Sequence, residues 1–442
     1  TVPIDGNSVS QASYGYSINS SGQAVGASFG KYSYVDVIDT GDISYTSPKT
    51  VNLFQGVDFG NIDRAIIPRD RAFGFGASQT GVFASSINDS GLIAGNGFQS
   101  LEFEVLDPSD NCTPFGAPVA RDVQAAFLFN TVDSLTVIQP TLSVNQPLDP
   151  SQPEFVSSNF LSVSSSHAVG SVVLVTEKDE CNNIATEAQR GVVYDYINGT
   201  SRIIEPFEQS VSAFTNLKSI NENGQFVGWS NALNSDGGRV LVGVIGQVGT
   251  DELTQVSGLE GATTAFLNDL NGSGQYAVGA SNLTGNLNQS SAFAYDINTG
   301  TSKNLGYLTI IESAEALAVN DDNLVVGVSQ TSSSPNAYNA FIYDLDNNNA
   351  APINLNELID CDLSITISEA RDINNSGEIV GSAAVLIDQA DGTQRGEIRA
   401  VKLVPRTTPA NQSCGVQVDE PGGTMPMWLL LPLLLVRRFG KQ

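Results

Sequence analysis

Apolar residues fall in short bursts along this chain, and long helical stripes are absent. Residues 17–26 read SINSSGQAVG: a lead apolar residue and Asn, a polar turn, then an apolar pair closed by glycine. The phrase returns as SINDSGLIAG, SINENGQFVG and DINNSGEIVG, and seven copies are led by Ile18, Ile87, Val163, Ile220, Leu270, Val319 and Ile373. Their spacings are 69, 76, 57, 50, 49 and 54 residues, the period of propeller blades or similar arrays.

Each copy carries the same local instructions. Asn follows the lead residue at positions 19, 88, 221, 271, 320 and 374, and Ser164 replaces it in the third copy. Asn bonds its own turn backbone, and a following glycine (Gly22, Gly91, Gly224, Gly274, Gly377) takes the left-handed conformation that closes a hairpin. Asn323 stands where the sixth copy lacks that glycine, and Asn is the residue that best replaces it there. The third copy has lost the glycine and one residue, so its turn should differ. A second glycine ends every short strand (Gly26, Gly95, Gly170, Gly228, Gly279, Gly327, Gly381), the mark of close backbone approach.

Aromatic, β-branched strands follow most copies: AAFLFN, VVYDY, SAFAYD and NAFIYD. Turn signals and a further short strand come next, so each unit reads as an antiparallel meander of three or four strands. Meanders packed face to face around an axis make an all-β propeller, here with seven blades. A β-solenoid fits a repeat equally well, and the two longest intervals leave room for an eighth blade. Inserted loops at 98–122 and 138–158 account for those intervals instead, given their Pro, Asp, Ser and Asn clusters. The segment TVPID is expected to complete the last blade through Val2–Ile4 and seal the ring.

Composition narrows the partners. The 442 residues carry 47 acidic and 20 basic side chains, a net charge of −27, which repels phosphate backbones and anionic lipid headgroups. No nucleic-acid partner is expected. Cys112, Cys181, Cys361 and Cys414 lie far apart without a CxxC pair, which disfavours a cysteine metal site. A start at Thr1 without Met suggests signal-peptide removal, and an oxidising compartment would allow two disulfides. Of three possible pairings, Cys112–Cys181 and Cys361–Cys414 join nearest neighbours, each adding roughly 3–5 kcal/mol by loop closure.

The paired phrases resemble the HAF repeats of predicted extracellular bacterial proteins, roughly I-N-x-x-G-x-x-V-G followed by A-F-x-Y, over residues 10–405. The layout looks more closely like a family catalogued only as a domain of unknown function. That resemblance implies an exported, propeller-like protein and transfers no catalytic residue. After a linker at 406–420, residues 421–442 read PGGTMPMWLLLPLLLVRRFGKQ. The apolar run is too short to span a bilayer comfortably as a helix, which takes about 20 residues, and Pro426 and Pro432 weaken a helix further. The tail resembles the GlyGly-CTERM sorting signal, which implies cleavage near Gly422-Gly423 by a rhombosortase, type II secretion and display at the cell surface. Its two prolines and the FGKQ end depart from that pattern. The membrane would then be touched only through this tail or the lipid replacing it.

Candidate chemistry is sparse. Asp269, Asn271 and Ser273, and again Asp372, Asn374 and Ser376, resemble the start of a calcium loop, since alternating oxygens suit a hard cation. Position twelve is Ala280 or Ala383, where the bidentate Glu would belong, so hairpin turns are the competing reading and no other cofactor is expected. His167 is the only histidine and stands where other copies have Gln23, Gln225 or Glu378. Trp229 suits core, channel or ligand. No catalytic constellation emerges. The chain reads as a secreted, surface-displayed propeller that binds or scaffolds, its partners a surface polysaccharide or envelope protein besides the sorting protease and secretion machinery. The rival readings are an extracellular hydrolase or lyase acting on carbohydrate, and a structural subunit of a surface layer or fibre.

Overall fold

The structure is a computed structural model. It describes residues 12–410 except 40–43, 59–80, 131–134, 140, 142–146, 149–152, 284–285, 312, 334–335, 348–349, 389–391 and 409. Among the described residues there is no α-helix, and seven antiparallel meanders of three or four strands follow one another, with one two-stranded ribbon. Each copy of the repeated phrase joins the first two strands of one meander. The first strands are Ser13–Ile18, Phe83–Ile87, Phe155–Val163, Thr215–Ile220, Ala265–Leu270, Ala314–Val319 and Ile365–Ile373. The AF-containing phrases fall in third strands such as Val119–Phe129, Asn286–Asp296 and Asn336–Asp344.

The core lies between sheets. Seven buried clusters each unite two consecutive sheets, and one of them joins Ile18 and Ala24 of the first sheet to Val380 of the last. That contact closes the ring, so the sheets form an all-β propeller. Phe127, Phe293 and Phe341, the aromatics of the AF phrases, are fully buried in these interfaces.

Asn sets the pitch of the ring. Asn19 accepts the Gln23 N–H on Oδ1 and donates Nδ2 to the Asn88 carbonyl of the next sheet. Asn88 reaches Ser164, Asn221 reaches Asn271, Asn320 reaches Asn374, and Asn374 returns to Asn19 across 355 residues. The expected turn geometry is present: Gly22, Gly91, Gly224, Gly274 and Gly377 have φ between 73° and 83°, and Asn323 has φ 59°. The third copy does differ, with the Ser164 N–H bonded to the His167 carbonyl in a tighter turn.

The strand glycines have a specific cause. In all seven first-to-second strand pairs the register slips by one residue, leaving Tyr16, Ser85, Leu161, Lys218, Asn268, Leu317 and Arg371 unpaired. The bulge drives the first strand toward its partner. A Cβ on Gly95, Gly170, Gly228, Gly279, Gly327 or Gly381 would stand 1.8–2.1 Å from a first-strand carbonyl oxygen.

Two expectations about insertions are corrected. Much of 98–122 is strand, because Ile93–Phe103 and Val119–Phe129 pair along their full length. From residue 155 onward the second supposed loop is the first strand of the third sheet. The excursion at Leu106–Pro114 forms the ribbon, which the Cys112–Cys181 disulfide and reciprocal bonds between Leu106 and Asn183 tie to the third sheet. Cys361 is disulfide-bonded as well, whereas Cys414, Val2–Ile4 and the sorting segment with Gly422 and Gly423 lie outside the described residues.

The Asn ring yields a test. Asn374→Ala removes the donor to Asn19 and leaves two turn N–H groups without their acceptor, so unfolding stability should drop by about 2–4 kcal/mol. Asn375→Ala, which removes only an exposed bond pair with Asp321, should cost less than about 1 kcal/mol. Urea titration of both variants decides it, and equal losses would contradict the ring's role.

Candidate functional site: the central channel

The residue before each lead apolar position is Ser17, Ser86, Ser162, Ser219, Asp269, Ala318 or Asp372. These side chains latch each sheet to the next. Ser17, Ser86 and Ser162 accept the backbone N–H of Ile87, Val163 and Ile220 at 3.2–3.4 Å. Asp269 accepts from Val319 N at 2.9 Å and from the Ser219 hydroxyl at 2.6 Å. Asp372 accepts from Ile18 N across the ring closure and from its own neighbour, Ile373 N. Ala318 cannot accept the Ile373 N–H, and the second oxygen of Asp372 serves in its place.

The aspartates resembling calcium-loop leaders are therefore held by inter-sheet bonds. Asn271 and Asn374 spend their oxygens on their own turns. The Ser273 N–H turns to Asp321, the Ser376 N–H to Asn374. The first triplet is thus divided among separate partners, the second keeps a bond between Ser376 and Asn374, and among the described residues no three His, Cys, Asp or Glu side chains are grouped to hold a metal.

Asp269 and Asp372 feel one another although a whole sheet separates them in the ring. Burial first, then repulsion from Asp372, pushes the Asp269 carboxyl up to about 7, while burial raises Asp372 against the bonds from Ile18 and Ser17. Both lie on first strands, and the seven first strands contact one another in succession around the whole ring, so they are the innermost strands and border a common central space.

The unpaired bulge residues form the next layer of that space. Lys218 of the fourth sheet interacts with Glu315 of the sixth and Arg371 of the seventh. Burial lowers its amine, Glu315 opposes that shift, and Arg371 adds a smaller push downward. Asn268 donates to Glu315 Oε1 at 2.8 Å and to the Ala316 carbonyl at 2.9 Å. Arg371 pairs with Glu369 at 2.8 Å and lies over the Tyr16 ring at 5.6 Å, and Tyr16 stacks on Tyr14 with centroids 6.3 Å apart. Burial raises the Tyr16 hydroxyl, opposed by Arg371. The layer thus offers cations, carboxylates, amides and two aromatic faces within one channel.

The other singled-out residues lie elsewhere. His167 Nδ1 is 2.7 Å from the Ser166 hydroxyl, and Nε2 is 3.9 Å from Asp195, its cross-strand partner. Asp195 is held low chiefly by the Asn198 side chain, whose turn its oxygens organise. That makes His167 a strand-end residue, in line with its repeat position. Trp229 is half-buried, edge-on to Phe214 and to Phe266 of the next sheet at 5.2 and 5.6 Å, which is interface packing. A cavity of about 160 Å³ between the second and third sheets is lined mainly by apolar groups such as Ile138, Phe155, Phe160 and Ile203. Sequence reading missed the channel layer because its signal, the second residue before each lead position, varies freely between copies.

Residues 269–438 match a family described as a protein of unknown function (DUF3466). No curated protein matches the chain. Among solved structures it is similar to TolB from Acinetobacter baumannii, with 11% identity, a TM-score of 0.32, and coverage of 84% of this chain and 82% of that one. Among the described residues no helix is long and apolar enough to cross a membrane.

The raised Asp269 carboxyl gives a pH signature. A carboxyl raised from its ordinary 3.8 to about 7 binds its proton more tightly folded than unfolded. Its contribution to stability is complete below the unfolded value and is lost as pH rises through the folded one. Relative to Asp269→Asn, the native chain should lose stability between about pH 4 and about pH 7. Parallel urea midpoints for the two proteins across that window would refute the assignment.

Proposed function

We propose that this propeller is a binding module whose ligand enters the central channel. The carrying observation is the bulge layer: seven equivalent positions on the innermost strands, unneeded for strand pairing, hold unlike side chains. Bulges commonly re-aim side chains beside functional sites. Ligands of polar, hydroxyl-rich chemistry, such as surface polysaccharide, suit that mixture better than nucleic acid does. The Cys112–Cys181 disulfide is compatible with an oxidising, extracellular setting. The HAF-like repeats and the Gly422-Gly423 tail support export and surface display, with a sorting protease and the secretion machinery as further partners.

Two experiments address the two halves of this reading. Ser85→Trp places a large ring at a bulge position that bears no charge, and it should abolish capture of glycans or envelope components from an array. Retention of every captured ligand by S85W would remove the channel from the account. Intact-mass measurement of the protein recovered from its own cells should show loss of the residues after Gly422-Gly423. Recovery with Lys441-Gln442 still attached would refute sorting.

A further inference from the structure

The third sheet differs from its relatives along one rung of paired residues. Where a third strand carries an AF phrase, its phenylalanine faces the strand glycine of the second strand, and Ala or Leu of the first strand completes the rung. These rungs are Ala84–Gly95–Phe127, Leu267–Gly279–Phe293 and Ala316–Gly327–Phe341. In the third sheet the order is reversed: the rung reads Phe160–Gly170–Val192, with the aromatic on the innermost strand and valine in the phenylalanine's place. The fourth sheet also has valine there, Val244, but Phe226 of its second strand lies against Gly246 and fills the space. In the third sheet, moving the ring toward the axis leaves the outer half of the interface with the second sheet short of volume. The shortfall is the cavity of about 160 Å³, lined by Phe160, Val192, Tyr194 and Ile203 among others. Interiors are packed nearly as densely as organic crystals, so a space of this size against a buried face calls for a cause.

We propose that this cavity binds a single-ring aromatic small molecule of phenol type, with its polar substituent at the rim. The site is separate from the channel and does not rest on the channel's role. Volume sets the size of the ligand: an apolar cavity of about 150 Å³ accepts benzene, whereas drug-sized ligands need roughly 300 Å³ or more. Wall chemistry sets its class. Phe155, Phe160 and Tyr194 all line the space, and the last two are stacked with centroids 5.6 Å apart and planes 17° apart. A further aromatic ring gains offset or edge-to-face contacts with them that an aliphatic ring lacks. Phe160, Val172 and Val192 are buried, which shelters the ring, while the exposed Thr141 and Ser201 mark the rim. A phenolic hydroxyl directed at that rim keeps its contact with water. The rung gives the same answer from a different observation, since a phenyl ring is what three other sheets supply at this place from within the chain. Ile138, Thr141 and Pro153, from the connection between the two sheets, line the outer side, so a free small molecule has better access than a ring tied to a partner's backbone.

The test uses the full chain with phenol, cyclohexanol and N-acetylphenylalanine amide as probes, each titrated by ligand-observed NMR. Phenol should bind about two- to tenfold tighter than cyclohexanol, which matches it in size without the aromatic face. Val192→Phe restores the residue of the AF phrases; it should abolish phenol binding and raise the melting temperature by filling the cavity. Should V192F clash with Phe160 and fail to fold, Ser201→Trp at the exposed rim should give the same loss of binding without touching the core. S85W, which obstructs the channel, should bind phenol as the native chain does. The proposal is overturned by the absence of saturable phenol binding, by binding that survives the folded blocking variant, or by equal affinity for cyclohexanol. Loss of phenol binding in S85W would overturn it by moving the ligand to the channel, and tighter binding of the acetylated amide by assigning the cavity to a partner's side chain.

Discussion

Every sheet in a closed ring must hand its inner edge to the next, and backbone groups there are buried where water cannot serve them. Asn meets that demand with one short side chain, because its amide carries both an acceptor and donors. The oxygen closes its own turn while the nitrogen crosses to the following sheet, and the chain of crossings ends by joining Asn374 to Asn19. Aspartate would keep the turn and lose the crossing. Serine is too short for both, and at Ser164 the link passes instead through the Ser165 N–H to Glu222. Asn271 likewise reaches the side chain of Asn323 in place of a carbonyl. The ring tolerates such local substitutes because a second layer, the Ser and Asp latches, ties the same edges together one residue earlier.

Much of this frame was legible in the sequence. The turn rests on local chemistry, so Asn and Gly at fixed offsets announce it, and even the exception at Asn323 could be anticipated. The buried phenylalanines of the AF phrases follow from strand alternation in the same way. What stayed hidden was every property set by the neighbouring sheet. Asp269 looks like a calcium-loop leader because its local spacing is right, yet its bonds are to Ser219 and Val319, each 50 residues away. The bulge was hidden for the same reason: it is a feature of pairing, and only its glycine imprint appears in the chain. The ribbon at 106–114 reads as loop because its Pro, Asp and Asn content reflects its tip, whereas the flanking strands extend far beyond the repeat.

The frame also says where function has room. Positions that serve the ring are nearly uniform among copies, since each meets the same demand. The bulged position is unpaired in its sheet and meets no demand common to all copies, and there the copies diverge to Tyr16, Ser85, Leu161, Lys218, Asn268, Leu317 and Arg371. His167 and Trp229 are the two residues that stand out from the repeat in the sequence alone. Those two residues turned out to serve a strand end and a sheet interface.

The channel's chemistry therefore separates into two layers with opposite logic. In the latch layer, burial pulls the carboxylates toward the neutral form, and the N–H groups bonded to their oxygens oppose that pull. In the bulge layer, burial pulls the Lys218 amine toward the neutral form as well, and Glu315 opposes it. The first arrangement is complete within the protein, with each oxygen assigned. The second is not uniform: Asn268 bonds to Glu315 and Ala316 of the next sheet, Arg371 pairs with Glu369 and lies over Tyr16, and the other bulged side chains differ in size and charge. A fold that repeats one solution so faithfully in its latches leaves its side-chain variety to the adjacent bulged positions, on the strands nearest the axis where all of its sheets meet.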